Sequence, residues 1–187
     1  MLFEIFSLLL QVITALVAGT CLLRMYLQLC GVNLSLRSGL PIAPFIFALT
    51  NWIVLPLRRI LPAMGRLDTA SLVAGYGIVL LKYALYWAMS ETSWNPANLP
   101  IQAAIELIST CISGLFWMVI VYAITSWIQT ASPMSYLLAL LVEPLLDPIR
   151  RVLPRLGGLD LSALALIVLL QVLEIVLHYA SRDLLLA

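Results

Sequence analysis

The sequence predicts an all-α integral membrane protein: four transmembrane helices in two parallel repeats, each repeat with a proline-kinked amphipathic or re-entrant helix on the cytoplasmic side. Three observations carry this prediction. Hydrophobic residues make up 63% of the 187 positions and charged residues 10%, with a mean hydropathy of +1.08, whereas soluble domains hold about 45–50% apolar and about 25% charged residues. The apolar residues gather into stretches long enough to cross a bilayer. Finally, Pro56-Leu57-Arg58-Arg59-Ile60-Leu61-Pro62 returns 92 positions later as Pro148-Ile149-Arg150-Arg151-Val152-Leu153-Pro154. The same interval carries Pro41 onto Pro133, Gly65 onto Gly157, Leu67 onto Leu159 and Asp68 onto Asp160. An internal repeat of this kind sets the architecture before local detail does. The first module is assigned to residues 1–89, a hairpin linker to 90–100 and the second module to 101–187.

Residues 3–29 are almost continuously apolar. A span needs roughly 20 such residues at about 1.5 Å each, so this stretch is predicted as the first transmembrane helix. Arg24, near its end, is expected to snorkel to the headgroups. Residues 31–40 hold Asn33, Ser35, Arg37, Ser38 and Gly39, a turn-rich return to the membrane surface. Residues 41–62 are apolar again but divided by Pro44 and Pro56. Asn51 precedes Arg58 and Arg59 by seven and eight residues, which makes one polar stripe on a helix lying in the membrane plane or entering it shallowly. On the equivalent helix of the second module stand Glu143, Asp147, Arg150 and Arg151. Asp147 is placed to pair with Arg151 one turn on, while Pro144 and Pro148 bend the segment. A full span burying those charges would be costly.

Residues 69–89 form the second predicted span, with Lys82 inside it and with Gly75 and Gly77 suited to close helix approach. The polar hairpin 90–100 is flanked by Trp87 and contains Trp94, aromatics placed for the interface. Residues 101–129 are the third span, bearing Glu106; 133–153 are the second surface helix; 161–179 are the fourth span, bearing Glu174; and 180–187 form a short tail.

The arginines set the orientation. Arg37, Arg58, Arg59 and Arg66 lie between the first two spans, Arg150, Arg151 and Arg155 lie between the last two, and the central hairpin has no Lys or Arg. By the positive-inside rule both arginine segments are cytoplasmic, so both termini and the hairpin are periplasmic. Two spans per module make the repeats parallel rather than inverted. A formal charge of +1 offers no basic surface for nucleic acid. Cys21, Cys30 and Cys111 are scattered through apolar segments without CxxC spacing, as small buried hydrophobes would be. The N-terminus lacks the positive leader of a signal peptide, so the first span is expected to remain on the mature chain.

With Pro-Leu-Arg-Arg-Ile-Leu-Pro at 56–62, Asp-Pro-Ile-Arg-Arg-Val-Leu-Pro at 147–154 and two spans per module, the chain resembles the YggT family of bacterial and plastid membrane proteins over essentially its whole length. It departs from the family pattern at Asn33-Leu34, where proline usually follows asparagine, and at Thr50-Asn51-Trp52, where Thr-Asp-Pro is usual. Glu143-Pro144 stands in the latter place in the second module. The resemblance implies a bacterial inner-membrane protein tied to osmotic-stress tolerance, potassium homeostasis or envelope and division processes. It brings no enzymatic reaction and no cofactor.

Several residues are singled out. The doublets Arg58-Arg59 and Arg150-Arg151 are read either as contacts for anionic lipid headgroups or a protein partner, or as topology anchors that touch nothing specific. Asp68 and Asp160 directly precede spans two and four and are read as helix N-caps; neither has the neighbours a metal site needs. Pro56, Pro62 and Gly65, with Pro148, Pro154 and Gly157, are assigned structural roles. Lys82 and Glu174 are separated by the repeat interval and therefore share a depth, about 18–20 Å along their helices. They are expected to pair if the modules face each other, with Glu106 as a competitor for Lys82. Such a group is either a proton- or ion-sensitive element or a neutralised pair that fixes packing. His178 is read as interfacial, and no HExxH, CxxC or GxSxG motif occurs. The leading expectation is a non-enzymatic scaffold or adaptor working with membrane lipids and a membrane-protein partner or a second copy of itself. The alternative is a small channel or transporter subunit, working as an oligomer and using Lys82, Glu106 and Glu174.

Overall fold

The structure, a computed structural model, describes residues 2–32, 34, 40, 42–61, 67–89, 96–128, 132–152 and 161–186. These residues form the α-helices α1 (Leu2–Leu29), α2 (Ala43–Ile60), α3 (Thr69–Met89), α4 (Leu99–Ile128), α5 (Pro133–Arg150) and α6 (Leu161–Leu186), with one turn of 3-10 helix, Pro96–Asn98, leading into α4. Four stretches, Glu4–Leu29, Thr69–Met89, Pro96–Ser126 and Leu161–Arg182, are long and apolar enough to cross a membrane. Their outer faces fit that solvent. Along α6, Leu164, Val168, Leu169, Val172, Leu173, Ile175 and Val176 are exposed, an apolar surface that lipid solvates and water does not. The chain is a multi-pass, all-helical membrane protein.

The two 18-residue helices are one-sided. α2 buries Ala43, Ile46, Thr50 and Val54, three or four residues apart, and leaves Phe45, Trp52 and Leu55 exposed. α5 buries Leu137, Leu141, Val142 and Leu146. Pro44 stands in the first turn of α2 and Pro133 begins α5, positions where the missing proline N–H has no helical partner to lose. Pro44 therefore starts its helix rather than dividing it. At α5 the Ser132 hydroxyl accepts the Ser135 amide at 3.1 Å while the Ser135 hydroxyl accepts the Ser132 amide at 3.0 Å, a reciprocal cap. Pro56 lies inside α2, and Pro144 and Pro148 lie inside α5.

α1 packs against α3, α4 against α6, and α3 against α4, with a further contact between α1 and α4. α2 lies on α1 and α3, and α5 on α4 and α6. One apolar cluster joins Val17, Cys21, Val54, Ala70 and Ala74 across α1, α2 and α3. Another joins Ile112, Val119, Val142, Leu146, Ala163, Leu166 and Leu170 across α4, α5 and α6. Ala18, Leu22, Val79, Ala103 and Leu107 hold α1, α3 and α4 together, and Leu27, Ile46, Leu137 and Leu141 form a cluster across α1, α2 and α5. Burial removes little water-exposed area inside a bilayer, so close packing and polar links carry helix association there. Gly75 is one such contact: a Cβ would meet Leu107 Cδ1 at 3.4 Å and Cys21 Cβ at 3.6 Å. Gly77, expected to act likewise, has open space where its Cβ would be and is exposed.

Candidate functional site

The C-terminal part of α1, the middle of α2 and the start of α3 meet in a polar knot. Arg24, on α1, is 3% exposed. Its Nη1 donates to Thr50 Oγ1 at 2.8 Å and to Asn51 Oδ1 at 2.9 Å, and its Nε lies 3.7 Å from Asp68 Oδ2. Its guanidinium carbon also stands 5.2 Å from the centre of the Phe47 ring. The expectation that Arg24 snorkels to the headgroups is thus corrected. Polar side chains on α2 and a carboxylate at the head of α3 offer this guanidinium a closer set of acceptors than the interface does.

Asp68 is fully buried. It caps α3 as expected, accepting the Ser71 amide at 3.3 Å and the Ser71 hydroxyl at 2.7 Å. It is also the counter-ion of Arg58, which the sequence reading did not foresee. Burial raises the Asp68 carboxyl, but the hydrogen bonds from Arg58 and Ser71 and the Arg58 charge outweigh it and hold the group below its ordinary value of 3.8. One ionised carboxylate therefore ties α1, α2 and α3 together.

The arginine doublets divide their labour. Arg58 is held by Asp68 and donates to Gln28 Oε1 at 3.4 Å, while Arg150 donates to the Tyr122 hydroxyl at 3.1 Å. Arg59 and Arg151, the second members, are exposed. Pro56 and Pro148 are also exposed, inside α2 and α5. Asp147 and Arg151 are both exposed and, among the described residues, form no ion pair with each other. Pro62, Gly65, Pro154, Gly157 and Asp160 lie outside the described residues, as does Trp94.

At the opposite end of the long helices lies a polar cleft of about 680 Å³, to which α1, α3, α4 and α6 all contribute. Lys82, 5% exposed, forms an ion pair with both carboxylate oxygens of Glu106. Its ammonium lies 4.7 Å from the Tyr83 ring centre and 5.8 Å from that of Tyr86. Glu174 accepts a hydrogen bond from the Ser109 hydroxyl. The expected Lys82–Glu174 pair is therefore absent. The reason is helix order: α4 packs against both α3 and α6, so it presents Glu106 to the first and Ser109 to the second. Equal depth did not mean adjacency.

The residues that the sequence reading missed had a signal. Gln102, Ser109 and Ser113 join Glu106 in a three-four spacing on α4 and all line the cleft, a polar stripe in a mostly apolar span. His178 is exposed at the rim. Among the described residues, no group of three His, Cys, Asp or Glu side chains is placed to hold a metal ion.

Comparison with known proteins gives the chain relatives. The CCB3/YggT family model matches residues 1–89 and 101–181. The protein named YggT of Escherichia coli K12 is 38% identical over 135 residues, which cover 72% of this chain and 70% of the relative. A Vibrio alginolyticus protein named for the proC 3' region is 37% identical over 135 residues, 70% of this chain and 72% of the relative. Pseudomonas aeruginosa PA0392 is 32% identical over 140 residues, 72% of this chain and 70% of the relative. No solved structure matches the chain significantly.

Proposed function

Because the chain belongs to the CCB3/YggT family, we propose that it is a non-enzymatic scaffold or adaptor of the bacterial inner membrane, linked to osmotic-stress tolerance or envelope organisation. In this reading the two modules are parallel copies, both termini are periplasmic, and α2 and α5 lie at the cytoplasmic face. There Arg59 and Arg151 meet anionic headgroups or a protein partner. The observation that carries the reading is the split within each doublet. Arg58 and Arg150 are engaged by side chains of the bundle, whereas Arg59 and Arg151 are exposed and have no ion pair among the described residues. A basic residue at an anionic surface gains about 1 kcal/mol, enough for two to bias docking without anchoring it. The apolar clusters between the polar cleft and the arginine end weigh toward an adaptor over a conduit within one subunit.

The test is Arg59→Gln with Arg151→Gln, purified in mild detergent. The expected result is less co-purified anionic lipid, or loss of an accompanying membrane protein seen by mass spectrometry. If both lipid content and companions match the unaltered protein, the arginines are topology anchors only.

A further inference from the structure

Two openings between the long helices meet. The polar cleft is one; the other is an apolar groove of about 310 Å³ between α1 and α4, lined by residues that include Gly19, Leu23, Met25, Gly114 and Met118. Ala15 and Thr110 line both, so the wall passes from polar to apolar without a break. That is the profile of an amphiphile.

The cleft also shows which headgroup fits. Lys82 is committed to Glu106, while Glu174 takes only the neutral Ser109 hydroxyl. Glu174 Oε2 and Gln102 Oε1 are both buried acceptors without a hydrogen-bond donor. Buried acceptors are normally satisfied, and a carboxylate in a bilayer calls for a positive partner. A group with several N–H donors and a positive charge meets both demands, and a primary ammonium has three donors. A purely anionic headgroup would face Glu174 with Lys82 already taken.

We propose that the cleft and groove together bind a membrane lipid whose headgroup ends in a primary ammonium. The ammonium sits at Glu174 and Gln102, and one acyl chain lies along α1 and α4. His178 and Ser181 line the same cleft near the C-terminal end of α6, so a headgroup enters from that interface. This site is separate from the arginine doublets and stands or falls without them.

The experiment uses the full chain in nanodiscs of equimolar phosphatidylethanolamine and phosphatidylglycerol, with retained lipids counted by native mass spectrometry. The ethanolamine lipid is expected to be enriched. Glu174→Gln should cut that enrichment about tenfold, the effect of one charge-assisted hydrogen bond. Gly114→Leu should lower retention of either lipid. Gly114 lines the groove and a Cβ there meets open space, so a leucine is expected to narrow the groove with α4 retained, which keeps the test valid should the first variant misfold. Soluble ethanolamine should not displace the lipid. Equal retention of both lipids, unchanged ethanolamine-lipid retention in Gly114→Leu, or full displacement by soluble ethanolamine or potassium ion would overturn the proposal.

Discussion

The three helices of the first half and the three of the second fill the same kind of space by different means. Thr50 and Val142 stand at the repeat interval, and both are fully buried. Thr50 accepts from Arg24 and donates to the Ile46 carbonyl at 2.7 Å, whereas Val142 packs among Ile112, Val119 and Leu146. Ser71, which bonds Asp68, is answered by Ala163, another buried member of the apolar cluster. At these two positions the first half carries hydroxyls that join the charge network at the foot of α3, and the second half carries apolar side chains. At these two pairs of positions the burial is alike and the chemistry of the fastening differs.

The largest effect is expected at the centre of the network. Asp68→Ala leaves Arg24 buried without its carboxylate and should cost about 3–5 kcal/mol, read from unfolding in mild detergent. Leu146→Ala, in the apolar cluster of the second half, should cost about 2 kcal/mol, the low end for such a cavity because lipid rather than water is the alternative surrounding. Equal losses would erase the contrast between the halves.

The cleft offers a second comparison. Exchanging charges as Lys82→Glu with Glu106→Lys should recover about 1–3 kcal/mol relative to the sum of the single changes, and Lys82→Glu with Glu174→Lys should recover none. Recovery in the second pair would restore the pairing that equal depth had suggested.

Exchanging single residues between the halves sharpens the comparison further. Thr50→Val removes one of the acceptors of Arg24 and should cost about 1–2 kcal/mol. Val142→Thr should cost less than about 1 kcal/mol, because a hydroxyl there can bond the carbonyl one turn back as Thr50 does. A cost for Val142→Thr as large as that for Thr50→Val would mean that the two sites differ in packing rather than in polar partners.

The smallest effect is a pH response. The Asp68 carboxyl is depressed in the folded protein, so the unfolded chain binds its proton first as pH falls. Its stabilising contribution is complete above the ordinary value of 3.8 and is lost as pH drops through the folded value. Between pH 7 and 5 the difference in melting temperature between the unaltered protein and Asp68→Asn should stay constant. A gap that closes in that range would show that Asp68 is not held by Arg58.

Much of the architecture was legible without coordinates. Residues 69–89 were read as a span and are α3, and the one-sided pattern at 41–62 and 133–153 became α2 and α5. The cap at Asp68 was legible because a cap is made with residues three positions away. The Arg24 network was not, since its members come from three helices. Gln102 and Ser109 were overlooked although their spacing with Glu106 placed them on one face.

Hydropathy and helical period depend on neighbours along the chain, and they sufficed to mark the four long apolar helices. Which charge meets which is a different matter. It depends on how each helix is rotated and on which helix stands beside it, both settled by side-chain packing between segments far apart in the chain. Only the assembled bundle could send Arg24 to Asp68, give Lys82 to Glu106, and leave Glu174 facing a cleft with an oxygen to spare.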